Sequence, residues 1–148
     1  AAAGMNLRLH HRPRTAEIIA RLHGKLRTFR DENGAEMVDI PDHTFPDPNT
    51  PVPPLFLPEY DNALLSHADR TRVIEDGYRT RIFTKGGFLV DGFVVGRWWI
   101  ATGPKKIRDL VIEAFEPIPK KDRAEVEEEG TRVLRFVAGD KAGEVRPA

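Results

Sequence analysis

The sequence predicts an α+β protein in two parts: a helix with a following hairpin over residues 5–44, and a small β-barrel with a C-terminal helix over residues 59–148. Three observations predict it. An amphipathic stretch is followed at once by a strand–turn–strand pattern, seven prolines crowd into residues 41–58, and beyond them short apolar runs recur until a segment of helical period begins. The prolines cannot donate to a sheet and disfavour helix, so residues 45–58 read as an extended linker.

Element by element, Thr15 can cap a helix at Ala16–His23, where Ile19, Leu22 and Leu26 recur on one side and Gly24 stands in the terminating position. Leu26–Phe29 and Ala35–Ile40 read as strands, with Asn33-Gly34 as the tight-turn dipeptide between them. A helix followed directly by a hairpin is how a winged helix ends, so residues 5–44 read as a partial winged helix whose groove-entering helix is Ala16–His23. Strands are predicted at Leu55–Leu57, Asn62–Leu65, Arg81–Thr84, Phe88–Val94, Arg97–Ala101 and Ile107–Phe115, with turns at Val95-Gly96 and Gly103-Pro104. Strands this short and this closely spaced suggest a small barrel. Asp122–Val137 reads as a helix that turns Val126, Gly130, Val133, Leu134 and Val137 toward the barrel and leaves Glu125, Glu127, Glu128 and Glu129 mainly in water.

The net charge of zero conceals a blocked distribution. Residues 1–30 hold seven Lys or Arg against one acid, 31–69 hold nine acids and no Lys or Arg, 70–108 hold nine basic against three acidic residues, and 109–148 hold seven against ten. Two basic zones about an acidic one suit a surface that meets a polyanion from one side. With no cysteine, disulfides and thiolate metal sites are excluded, and a reducing compartment is the natural expectation. The most apolar run, Phe88–Ile100, includes Asp91 and Arg97 and is too short to span a bilayer, and no apolar leader is visible. A cytoplasmic location away from membranes follows as an expectation.

Two blocks carry a family resemblance: LFLPEYDNALLSHADRTRVI at Leu55–Ile74 and FLVDGFVVGRWWI at Phe88–Ile100, supported by the lead-in Leu26–Pro54 and by Ala114–Phe136. They resemble the bacterial winged-helix DNA-binding family of alkylpurine and crosslink-unhooking DNA glycosylases, the AlkZ-like and YcaQ-like proteins. The resemblance implies double-stranded DNA as partner and DNA repair as context. It also implies a Gln-x-Gln or Gln-x-Asp catalytic pair near the N-terminal winged helices, yet the chain contains no glutamine. The part resembled is the C-terminal portion of the family. The expected function is therefore non-catalytic, mainly sequence-nonspecific duplex DNA binding, by a truncated relative or C-terminal fragment. Two alternatives stand beside it. One is the DNA-positioning half of a split glycosylase whose catalytic pair sits on a separately encoded N-terminal winged-helix chain. The other is a homodimeric interaction module, because an incomplete winged helix leaves Ile18, Ile19 and Leu22 in need of a cover.

The candidate phosphate contacts are Arg12, Arg14, Arg21, Lys25, Arg27 and Arg30 in the first basic zone, and Arg70, Arg72, Arg79, Arg81, Lys85 and Arg97 in the second. Lys105, Lys106 and Arg108 flank the second hairpin; any of these cations could instead face solvent or pair with local acids. Glu59, Asp61, His67 and Asp69 fall close together and could in principle perform acid–base chemistry. The competing reading is structural: Asp61 and Asn62 cap or turn the chain, His67 and Asp69 bond the backbone of a tight loop, and Arg70 pairs with an acid. The histidines lack helical ligand spacing and the glycines lack a phosphate-cradling pattern, so no metal and no cofactor are expected. Trp98 and Trp99 should point to opposite faces of one strand.

Overall fold

The computed structural model describes residues 13–66, 69–82 and 84–148, with side chains of the first helix from Glu17 onward. The chain forms two compact units, residues 1–50 and 51–148.

In the first unit, helix α1 (Pro13–Leu22) continues into a 3-10 turn, His23–Lys25, which ends where Leu26 becomes extended. Thr15 lies inside the helix rather than capping it. Strands β1 (Arg27–Arg30) and β2 (Glu36–Asp39) pair antiparallel, with Arg30 opposite Glu36. The loop between them is five residues, Asp31 to Ala35, longer than the two-residue turn that Asn33-Gly34 suggests. Asp31 explains it: its carboxylate accepts from the Asn33 and Ala35 amides at 2.9 and 2.8 Å, and Gly34 takes the left-handed backbone with φ 77°. Met37 is buried, and Phe45 meets Phe29 edge-on with ring centroids 5.8 Å apart.

The second unit is a five-stranded sheet crossed by a helix. Strands β3 (Leu55–Leu57), β4 (Gly86–Val90), β5 (Phe93–Thr102) and β6 (Arg108–Ala114) are successive antiparallel neighbours, and β7 (Ala142–Pro147) lies parallel to β6. Between α1 and the last helix, Asn62–Leu65 is a single helical turn, α2, because the Asp61 side chain accepts from the Ala63 amide at 2.8 Å and so caps it. Asp76–Ile82 is a 3-10 segment. The parallel pair β6–β7 requires a crossover, supplied by helix α3 (Lys120–Ala138).

The two helical segments ahead of β4 correct the barrel. Asn62–Leu65 and Arg81–Thr84 are strands in the sequence reading, needed to help close it; Asn62–Leu65 is helical, Arg81 and Ile82 end the 3-10 segment and Thr84 lies in a turn, so the sheet stays open between edge strands β3 and β7. The helix reaches both edges instead: a Cβ built on Gly130 of α3 would lie 3.3 Å from Phe56 of β3 and 3.4 Å from Val145 of β7. The hairpin turn is also moved, from Val95-Gly96 to Asp91-Gly92, whose φ values of 49° and 80° are those a two-residue turn demands. Gly96 lies within β5, where a side chain would overlap the Phe88 ring and the Glu113 carbonyl.

Alternation along the strands divides the core between two faces. Leu89 and Val94 pack with Leu64, Ile74 and Ile82 from the loop segments, and Leu57, Val73, Tyr78 and Phe115 lie against them. On the other face Phe56 stacks on Phe88 at 5.6 Å and meets Trp98 at 5.8 Å, beneath α3. Phe88 is fully buried, which stabilises the unit by about 1.5–3 kcal/mol. Val126, Gly130 and Leu134 form the buried stripe of α3, while Val137 is exposed.

Candidate nucleic-acid interface

Arg12 and His67 lie outside the described residues, as does the side chain of Arg14. In the first unit Arg21 is exposed on α1 and ion-paired to Glu17 at 2.6 Å. Lys25 stands exposed in the 3-10 turn. Arg27 faces inward: it pairs with Asp39 at 2.9 Å and lies 4.6 Å over the Phe45 ring. The same Asp39 bonds the His43 ring at 2.8 Å, and that hydrogen bond, with the one from Arg27, holds its carboxyl below the usual range against the cost of burial. Arg30 is exposed at the end of β1 and donates to the Gly34 carbonyl at 2.7 Å. Lys25 and Arg30 thus offer charge to solvent, and Arg27 serves the packing of the hairpin.

In the second unit most of the predicted cations hold the fold together. Arg70 donates to the Leu64 carbonyl at 2.6 Å and ties down α2. Arg79 pairs with Asp76 at 3.0 Å, and Arg72 is exposed in the turn ahead of the 3-10 segment. Arg97 of β5 forms two bonds, 2.9 and 2.7 Å, to one oxygen of Glu113, its register partner on β6, while Arg81 donates to the other oxygen at 3.0 Å. A further bond runs from Arg97 to the Arg81 carbonyl at 3.2 Å. Arg81 also lies 4.1 Å over the Phe115 ring, which is packed against Tyr78. Two guanidiniums on one carboxylate leave a net positive centre, and the Arg97 bonds first, then those of Arg81, hold Glu113 below its ordinary range despite desolvation. Lys85 completes this face, its ammonium 4.4 Å from the Trp99 ring centroid. Trp98 turns the other way, beside Phe56, and donates to the Leu57 carbonyl at 2.9 Å. Burial pushes the Tyr78 hydroxyl up, and its hydrogen bond to Glu116 at 3.1 Å adds to the shift.

Of the candidate acid–base group, Glu59 is exposed, Asp61 caps α2, Asn62 opens it, and Asp69 accepts from the Thr71 amide and hydroxyl at 3.0 and 2.7 Å. Sequence reasoning misses Glu113. Its signal is the strand register alone, sixteen residues from Arg97, which composition and spacing do not reveal.

Among the described residues no helix is long and apolar enough to cross a membrane. No curated protein and no solved structure matches the chain. Residues 6–136 match the family described as DNA glycosylase AlkZ-like, a span that takes in the helix–hairpin unit, strands β3 to β6 and nearly all of α3. The chain belongs to the AlkZ-like DNA glycosylase family.

Proposed function

We propose that this stretch of chain binds duplex DNA without excising bases itself, as the C-terminal portion of the family's architecture. The family match over residues 6–136 carries the reading. Two features support it. The order helix, then hairpin, over Pro13–Asp39 suits the end of a winged helix. The exposed cations of that unit, Lys25 and Arg30, suit the neutralising of phosphates rather than the reading of bases. In the second unit Lys85, with the positive Arg81–Arg97–Glu113 centre beside it, offers a further patch. The chain contains no glutamine, so the glutamine pair expected of the family's glycosylases has no counterpart in it. Release of N7-alkylated guanine by this chain alone would overturn the non-catalytic part of the reading.

The test of DNA binding is fluorescence anisotropy of a labelled duplex titrated at several salt concentrations. The wild type is expected to bind with an affinity that falls steeply with salt. K25E/R30E is expected to weaken binding on all sequences alike and to flatten the log–log slope by about one for each phosphate that is no longer neutralised. Arg27 is a poor probe, because reversing it would also break its pair with Asp39 and its stack on Phe45. No binding even at low salt would remove the reading.

A further inference from the structure

Strand β7 is one edge of the five-stranded sheet, with β6 on one side and, among the described residues, no strand on the other. The parallel register fixes which of its backbone groups β6 engages. Leu110 and Ile112 pair with Val145 and Pro147, and the Ala148 amide donates to the Ile112 carbonyl at 3.0 Å. Alternate residues of a strand point their amides and carbonyls the same way, so Ala148 and Arg146 turn theirs toward β6, and Val145 turns both of its own outward to the free edge. The ends of the strand are blunted. Pro147 has no amide to offer that edge, and between the pairs Arg108–Ala142 and Leu110–Val145 β7 carries one residue more than β6, which interrupts the ladder. The part able to take another strand is the centre, Glu144 to Arg146.

That centre is self-complementary. The run Glu144-Val145-Arg146 has an acid before the valine and a base after it, so a second copy laid antiparallel with Val145 opposite Val145 sets Glu144 of each strand against Arg146 of its neighbour. Both charges are exposed. Among the described residues Glu144 has no ion pair, and Arg146 is tethered through its Nε to Asp109 at 3.3 Å, which leaves its terminal nitrogens available. Alternation puts the two charges on the sheet face of Val111 and puts Val145 on the face beneath α3, where its methyls lie 3.4 and 3.5 Å from the position of a Cβ on Gly130. On that face Val145 and Pro147 border an apolar cavity of about 310 Å³, lined also by Ile112, Ile118 and Val126. Val145 is only half-buried, so a second Val145 beside it covers apolar surface that one copy leaves to water.

We propose that β7 is the interface of a two-fold homodimer, in which two copies pair antiparallel through Glu144–Arg146 and join their sheets edge to edge. Exchange of the Val145 amide and carbonyl gives two hydrogen bonds across the axis, the Glu144–Arg146 contact occurs twice, and the paired valines extend the apolar lining. The order of the charges selects this arrangement. A parallel neighbour would set like charges opposite one another, and a slip of one residue would set valine against charge. The inference is independent of DNA binding.

The experiment is sedimentation velocity of the full chain as wild type, E144R and R146E, from about 10 µM to about 1 mM. The wild type is expected to pass from monomer to dimer within that range. Each variant by itself sets like charges opposite one another at both contacts and should weaken dimerisation by about tenfold or more. Mixed in equal amounts, the two variants should form a heterodimer within about threefold of the wild-type affinity, because one chain then brings two cations and the other two acids to the opposing positions. Thermal unfolding reports whether each variant is folded; E144R leaves the Arg146–Asp109 pair in place and carries the test by itself if R146E does not fold. A wild type that stays monomeric at every concentration would overturn the proposal and leave the edge to a strand of another protein. A dimer that E144R leaves unchanged would place the interface elsewhere and overturn β7. Weakening in both variants without recovery on mixing would overturn the antiparallel register.

Discussion

Glu113 governs two arginines with one side chain, and its protonation should be felt by the fold. Its carboxyl is held below the ordinary glutamate range by Arg97 and Arg81, so the bonds contribute stability at pH above that of the unfolded glutamate, and the contribution disappears as pH falls through the folded value. Thermal midpoints measured from pH 7 down to pH 3 should fall for the wild type, and E113Q should lower the midpoint at pH 7 while removing part of that fall. Parallel pH profiles for the two proteins would contradict the arrangement. Gly96 makes a sharper case. Because any Cβ there would overlap the Phe88 ring and the Glu113 carbonyl, G96A should cost about 1–3 kcal/mol, as forced overpacking does, read by urea denaturation. A variant as stable as wild type would mean that Phe88 can move aside. Neither effect is legible from residue identity alone, since both depend on which residues the β4–β5–β6 register sets opposite one another.

At the scale of elements, caps and turns decide where periodicity is ambiguous. Asn62–Leu65 is apolar enough to pass for a short strand, but an aspartate just ahead of it satisfies a free amide and starts a helical turn. Asp61→Ala should therefore cost about 1 kcal/mol in denaturant titration, and an unchanged midpoint would mean that the turn is held by packing of Leu64 alone. Helix α3 is plainer, because Val126, Gly130 and Leu134 recur at helical spacing and are all buried. Leu134→Ala should destabilise by about 2–5 kcal/mol in the same measurement, whereas alanine at exposed Val137 should cost little. Strand β7 escapes a sequence reading because AGEVRP carries too little alternation to signal a strand; it exists because β6 offers an edge at the end of the crossover.

For the whole molecule, the division at residue 50 has a physical consequence. The core residues Leu64, Ile74, Ile82, Leu89 and Val94, together with Phe88, Leu110 and Leu134, all belong to residues 51–148. That segment should fold by itself, with a cooperative thermal transition and dispersed amide resonances; a molten spectrum would show that it depends on the first unit. Among the described residues of the first unit, Met37 is the buried hydrophobic of the hairpin, and this unit is expected to depend more on whatever it binds. Weaker duplex affinity in K25E/R30E without any change in the unfolding of the second unit would locate that contribution in the first.

From the sequence alone come the family, the α+β class, the helix–hairpin order, strands within Phe88–Ala101 and the C-terminal helix, because local periodicity, turn dipeptides and motif identity are properties of neighbouring residues. The tertiary structure alone decides that the sheet is open and spanned by α3, that the turn falls at Asp91-Gly92, and which cations are engaged. The reason is range. A guanidinium is claimed by whichever carboxylate the strand register sets beside it, and for Arg97 that group is sixteen residues away on the next strand.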